Sequence, residues 1–145
     1  HDAELLAEIL MAYRHLDAYP EVPVVLRLLR DKGLERAILS NGEPGMLRDA
    51  VHTAGLTDLL NAVLSVEAVG VFKPDPRVYQ LAGKHFGLAA SQMAFVSSNP
   101  WDAFGAHAFG FKVFWVNRTG QRAEYDLHGK VTELRDLSGL VGLLA

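Results

Sequence analysis

MAFVSSNPWDAFGAHAFGFKVFWV, residues 93–116, contains one complete unit of the fold. Met93 to Val96 is a short, unbroken apolar run, the pattern of a strand buried on both faces. Ser97-Ser98-Asn99 turns the chain, Pro100 opens a helix running to about Phe109, and Lys112 to Val116 is a second strand. A strand joined to another strand by a helix and short turns is a parallel pair with its crossover.

The same alternation runs upstream. Leu34 to Leu39 predicts a strand, Ser40-Asn41-Gly42 a turn, and Glu43 to Thr53 a helix that stops at Gly55. Ala62 to Val66 predicts the next strand, followed by a loop through Gly70 and Lys73-Pro74-Asp75-Pro76 and a helix from Arg77 to Phe86. Before these, Leu5, Leu6, Ile9, Leu10 and Tyr13 recur at helical spacing between Asp2 and Leu16, and the segment breaks at Tyr19-Pro20. A helix from Val22 to Lys32 tolerates Pro23 in its first turn and ends at Gly33. Beyond Val116 come Asn117-Arg118-Thr119-Gly120, a short strand near Val131 and a last helix from Leu140. The whole reads as a doubly wound, Rossmann-like α/β fold with a parallel sheet covered on both faces. The first two helices read as a satellite module.

Composition narrows the function. The chain has 145 residues, half of them apolar, enough for one domain with a real core. Fourteen basic against 17 acidic residues give a net charge of −3, which argues against a nucleic-acid partner. No apolar run reaches the roughly 18–20 residues of a membrane helix. There is no cysteine, hence no disulfide frame or thiolate chemistry, and a cytoplasmic setting is the default. The six histidines lack paired metal spacing, and neither a Gly-x-Ser-x-Gly elbow nor a Gly-rich phosphate loop occurs. Phe104, Phe109, Phe111, Phe114 and Trp115 read as packing.

In such folds ligands sit beyond the carboxyl ends of the strands. Three of those ends carry polar clusters. Ser40, Asn41 and the backbone N–H groups before the following helix can cradle an anion, although either side chain could simply cap that helix. Lys73 sits in a loop stiffened by two prolines, as a fixed cation or as part of an ordinary surface turn. Asp102, in the first turn of the helix after Ser97-Ser98-Asn99, points back toward the crevice and also suits the helix dipole.

Read in order, Ser40-Asn41-Gly42, Lys73-Pro74-Asp75-Pro76-Arg77-Val78-Tyr79 and Ser97-Ser98-Asn99-Pro100-Trp101-Asp102 resemble the haloacid dehalogenase superfamily, and within it the L-2-haloacid dehalogenases. The resemblance spans about Tyr19 to Val116. Superfamily phosphatases hold Mg²⁺ with an acidic pair after the third of these strands, whereas Ser97 and Asn99 stand there in this chain. Only Asp102 is charged, so no metal and no cofactor is expected. Tyr79 and Trp101 also agree with the dehalogenase pattern.

The resemblance implies hydrolytic dehalogenation of L-2-haloalkanoic acids to D-2-hydroxy acids. An aspartate attacks C2 and expels halide with inversion, and water then hydrolyses the aspartyl ester. Ser40 would bind the substrate carboxylate and Asn41 the departing halide. Lys73 would keep the nucleophile ionised, and Ser97 would orient Lys73 or the nucleophile. Asn99 and Asp102 would position and activate water, with Asp102 as base. Tyr79 would assist at the substrate carboxylate or in the polar network, and Trp101 would line the substrate site.

The family's nucleophile lies in an Asp-x-x-Gly-Thr-like motif at the end of the first strand, and no such motif occurs here. By analogy that strand is central, flanked by the strands at Leu34–Leu39 and Met93–Val96. An N-terminal segment is therefore expected to complete the sheet, and the 145 residues alone are expected to be inactive. The resemblance assigns residues 1–19 to the C-terminal part of a helical cap module and residues 20–145 to an incomplete Rossmann-like core, and Leu5, Leu6, Ile9 and Leu10 would pack inside that cap or form a homodimer surface. Two other functions fit the residues: a Mg²⁺-dependent phosphatase of the same superfamily, and an inactive module that pairs its open sheet with another chain.

Overall fold

The computed structural model describes residues 18–144 and the backbone of Leu5–Leu6. Its strands are β1 (Leu5–Leu6), β2 (Ala37–Ser40), β3 (Ala62–Ser65), β4 (Met93–Ser97), β5 (Lys112–Val116) and β6 (Thr132–Leu134). The α-helices are α1 (Glu21–Asp31), α2 (Pro44–Thr53), α3 (Pro76–Phe86) and α4 (Pro100–Phe109). Every pairing is parallel. Among the described residues the strands form two groups, β1-β4-β5-β6 and β2-β3.

Burial follows the alternation of side chains across a strand. Ala94, Val96, Phe114 and Val116 face one side, where α1 contributes Val22, Val25, Leu26 and Leu29 and the C-terminal segment contributes Leu137, Leu140 and Leu144. Met93, Phe95, Val113 and Trp115 face the other, against Val78, Tyr79 and Ala82 of α3 and Ala103 and Ala106 of α4. All five residues of β4 are buried, which explains why its sequence shows no polar alternation. No helix among the described residues is long and apolar enough to cross a membrane.

Three expectations need correction. Leu5 and Leu6, read as part of an opening helix, pair with Met93 and Ala94 as a strand. The exposed ladder of β4 gains hydrogen-bond partners this way, and that outweighs a helical spacing of leucines. The rest of that segment lies outside the described residues, as do the side chains of the suggested dimer surface at Leu5, Leu6, Ile9 and Leu10. The tail forms a single 3₁₀ turn at Leu137–Gly139 instead of a helix from Leu140. Gly139 and Gly142 weaken helix formation there, and Lys32 Nζ donates to the carbonyls of Val141 and Leu144 at 3.0 and 2.9 Å. Phe104 is 36% exposed and leans on Tyr125, so it is no core aromatic.

Candidate active site

The parallel ladders bring the ends of β2, β3 and β4 to one side of the molecule, and each delivers a polar residue there. Ser40 closes β2 and pairs in register with Ser65, which closes β3. Ser97 closes β4, and α4 starts three residues later. Because α4 begins at a strand's end, Asp102 in its first turn projects back over the sheet.

Asp102 is the centre of the site and is fully buried. Its Oδ2 accepts from Lys73 Nζ at 3.2 Å and from Ser97 Oγ at 3.0 Å, and its Oδ1 accepts from the Tyr79 hydroxyl at 2.8 Å. A carboxylate in an apolar interior needs such donors to offset its lost hydration. The Lys73 and Asp102 side chains are 1% and 0% exposed, so their attraction acts with little solvent screening. Lys73 Nζ also lies 5.3 Å from the centre of the Phe95 ring.

The loop that carries Lys73 is held at both ends. Asn41 Oδ1 accepts the backbone N–H of Lys73 at 2.9 Å, which ties the turn after β2 to the lysine. Asp75 caps α3, accepting from the Arg77 backbone at 2.9 Å and from its guanidinium at 3.0 and 2.8 Å. These bonds, the Arg77 side chain first, hold the Asp75 carboxyl down at about 2. On the other side of the site, Glu43 caps α2 through the N–H groups of Gly45 and Met46, which lower its own carboxyl pKa.

The structure thus joins Lys73, Ser97, Asp102 and Tyr79 in one network and links Asn41 to it through the lysine backbone. The Tyr79 hydroxyl is buried against Asp102. Ser40 Oγ accepts the Gly42 N–H at 3.0 Å. The backbone N–H of Asn99 donates to Ser97 Oγ at 3.1 Å, while its side chain makes no capping bond to α4. Trp101 is half-buried beside Asp102.

Two residues of the site were not anticipated. Ser65 donates through Oγ to the Gly42 carbonyl at 2.7 Å. Gly105 lies so close to the lysine loop that a Cβ there would fall 2.8 Å from both the Tyr79 hydroxyl and Pro74 Cβ. A helical glycine three residues after the buried acid was the available signal for the second.

Among the described residues no group of three or more histidines and carboxylates could hold a metal ion. The third loop offers one carboxylate, and an ammonium already sits on it. A dication placed there would meet a fixed positive charge and neutral Ser97 and Asn99 side chains.

A family model for haloacid dehalogenase-like hydrolases matches residues 2–110. An (S)-2-haloacid dehalogenase of Pseudomonas sp. (strain YL) is 50% identical over 119 residues, covering 82% of this chain and 51% of that protein. (S)-2-haloacid dehalogenase 1 of Pseudomonas sp. (strain CBS-3) is 42% identical over 141 residues, covering 97% and 62%. The chain therefore spans about half to three-fifths of the length of these curated relatives. Among solved structures, the L-2-haloacid dehalogenase from Xanthobacter autotrophicus with chloropropionic acid covalently bound superposes with a TM-score of 0.80 at 36% identity, covering 86% of this chain and 60% of that one.

Proposed function

Because this chain belongs to the haloacid dehalogenase-like hydrolases, we propose that its protein hydrolyses L-2-haloalkanoic acids to D-2-hydroxy acids and halide. One observation carries the choice of chemistry: the sole carboxylate of the third loop is bonded to a buried ammonium, a site built for a single anion rather than for a dication. The relatives' activity and the chloropropionic acid covalently bound in the Xanthobacter enzyme support the same reading.

In this reading an aspartate on a strand between β2 and β4 enters beside Lys73. Among the described residues β2–β3 stands apart from β4, and such a strand would take the β4 edge that Leu5–Leu6 holds here. Its carboxylate attacks C2, the carbon–halogen bond breaks with its electron pair leaving on the halide, and an aspartyl ester forms with inversion. Water then adds to the ester carbonyl, giving the hydroxy acid and restoring the carboxylate, with one proton released overall.

Each residue named above has a task. The Lys73 ammonium keeps the nucleophile ionised and balances its charge. Asp102 holds that ammonium in place, assisted by Ser97 and Tyr79, and takes the proton from the hydrolytic water beside Asn99. Ser40, whose Oγ already accepts a backbone N–H, turns its hydroxyl proton to the substrate carboxylate. The Asn41 carbonyl oxygen is engaged by Lys73, which leaves its NH₂ group to face the departing halide. Trp101 lines the substrate site. The 145 residues by themselves are proposed to be inactive, since they contain no Asp-x-x-Gly-Thr-like motif.

The test is halide release from L-2-chloropropionate by the full-length protein, with the product resolved by chirality and the assay repeated in EDTA. D-lactate formed at the same rate with and without chelator is the expected result. Phosphate-ester hydrolysis abolished by EDTA, without halide release, would establish the phosphatase reading instead.

A further inference from the structure

Ser40 and Ser65 stand side by side at the ends of paired strands, and both engage Gly42. Ser40 Oγ accepts the Gly42 N–H at 3.0 Å, and Ser65 Oγ donates to the Gly42 carbonyl at 2.7 Å. The turn between them is tightly packed. A Cβ at Gly42 would lie 2.8 Å from Leu47 Cδ2 and 3.3 Å from Ser40 Oγ.

A serine hydroxyl has one proton to donate and two lone pairs. Ser65 places its proton on Gly42 and accepts from the Glu67 N–H at 3.2 Å. Ser40 has accepted from Gly42, so its own proton remains directional. The orientation of Ser40 therefore depends on where Gly42 is held, and Ser65, 23 residues away in sequence, is what holds the Gly42 carbonyl. The same turn also fixes Lys73 through Asn41.

We propose that Ser65 is a positioning residue for substrate binding, clamping the Ser40-Asn41-Gly42 turn in the shape that receives the carboxylate and the halide. This rests on the dehalogenase reading above. Loss of the clamp would let the turn relax, weakening the hold on the substrate carboxylate; Asn41 ties that turn to the Lys73 backbone, but the Lys73 ammonium keeps its own bond to buried Asp102, so the effect falls first on binding. A simpler role, capping the short turn Val66–Ala68, would affect folding stability alone.

Full-length wild-type protein is compared with Ser65→Ala and Ser65→Thr for KM and kcat with L-2-chloropropionate, thermal midpoint, and hydrogen exchange of the Gly42 amide. Ser65→Ala should raise KM roughly three- to tenfold, the worth of one hydrogen bond, with kcat changed less than about twofold. Gly42 exchange should accelerate, and Ser65→Thr, which keeps the hydroxyl, should restore both values. An unchanged KM for Ser65→Ala overturns the proposal, as does a fall in kcat and thermal midpoint that threonine does not repair. If wild-type protein releases no halide, the dehalogenase reading fails on its own. The clamp is then judged by Gly42 exchange, which overturns it if alanine leaves the rate unchanged and supports it if the rate rises.

Discussion

Lys73 Nζ lies 3.2 Å from Asp102 Oδ2 with both side chains out of reach of solvent. Removing one partner of such a pair breaks a charge-assisted hydrogen bond in the interior, at a cost of about 3–5 kcal/mol. Replacing both partners removes the charges together.

Lys73→Met and Asp102→Asn should each destabilise the protein by about 3–5 kcal/mol, while the double variant should lose clearly less than their sum. All three should be inactive. Denaturant unfolding of the four proteins closes the cycle, and additive losses would show that the two groups do not stabilise each other.

Gly105 sets the distance between α4 and the lysine loop. Gly105→Ala would place a methyl group 2.8 Å from the Tyr79 hydroxyl and Pro74 Cβ, so something must shift. A destabilisation of about 1–3 kcal/mol is expected, in the range of overpacked cores. Tyr79→Phe removes one of the two colliding atoms, so Gly105→Ala should cost less in that background. Thermal or denaturant unfolding of the pair tests this, and equal costs in both backgrounds would show that Tyr79 is not what Gly105 accommodates.

Much of this arrangement is legible in the sequence because burial leaves a plain mark there. The apolar run at Met93–Val96 declares a strand covered on both faces, and an acid in the first turn of the next helix has to return to that strand's end. The contacts between Lys73, Ser97 and Asp102 follow from that layout. Ser65 is silent because a serine ending a strand resembles any turn residue, and its partner Gly42 is distant in sequence. Gly105 is silent because the requirement it meets, close approach of another element, exists only after folding. Leu5 and Leu6 mislead, since leucines at helical spacing also satisfy a strand edge that needs partners.

Asp75 provides the pH signature. Its ordinary value of 3.8 falls to about 2, chiefly through the Arg77 side chain and also through the Arg77 N–H. A carboxyl depressed on folding stabilises the native state above its unfolded value and loses that contribution as pH falls through the folded one. Stability should therefore decline with acidification between about pH 4 and 2, and the Asp75→Asn variant should show a shallower decline there. Carboxyl-carbon NMR should give Asp75 a midpoint near 2. A midpoint near 3.8 would mean that the bonds to Arg77 do not persist in solution.

Divalent cations give the sharpest test of the site's electrostatics. A ligand that binds only the folded state raises its stability by RT ln(1 + [L]/Kd), so a Mg²⁺ site with a dissociation constant near 0.1 mM would add about 1.4 kcal/mol at 1 mM Mg²⁺. The Lys73 ammonium on the single carboxylate of the third loop opposes any such ion. Titrating Mg²⁺ to millimolar concentration should leave the thermal midpoint unchanged, and EDTA should change halide release less than about twofold. Asp102→Asn should not create Mg²⁺ dependence, whereas Lys73→Met, which removes the opposing charge, is the variant in which weak cation binding should first emerge. A Mg²⁺-dependent rise in the wild-type midpoint, abolished by Asp102→Asn, would locate an ion in that loop and overturn the metal-free reading.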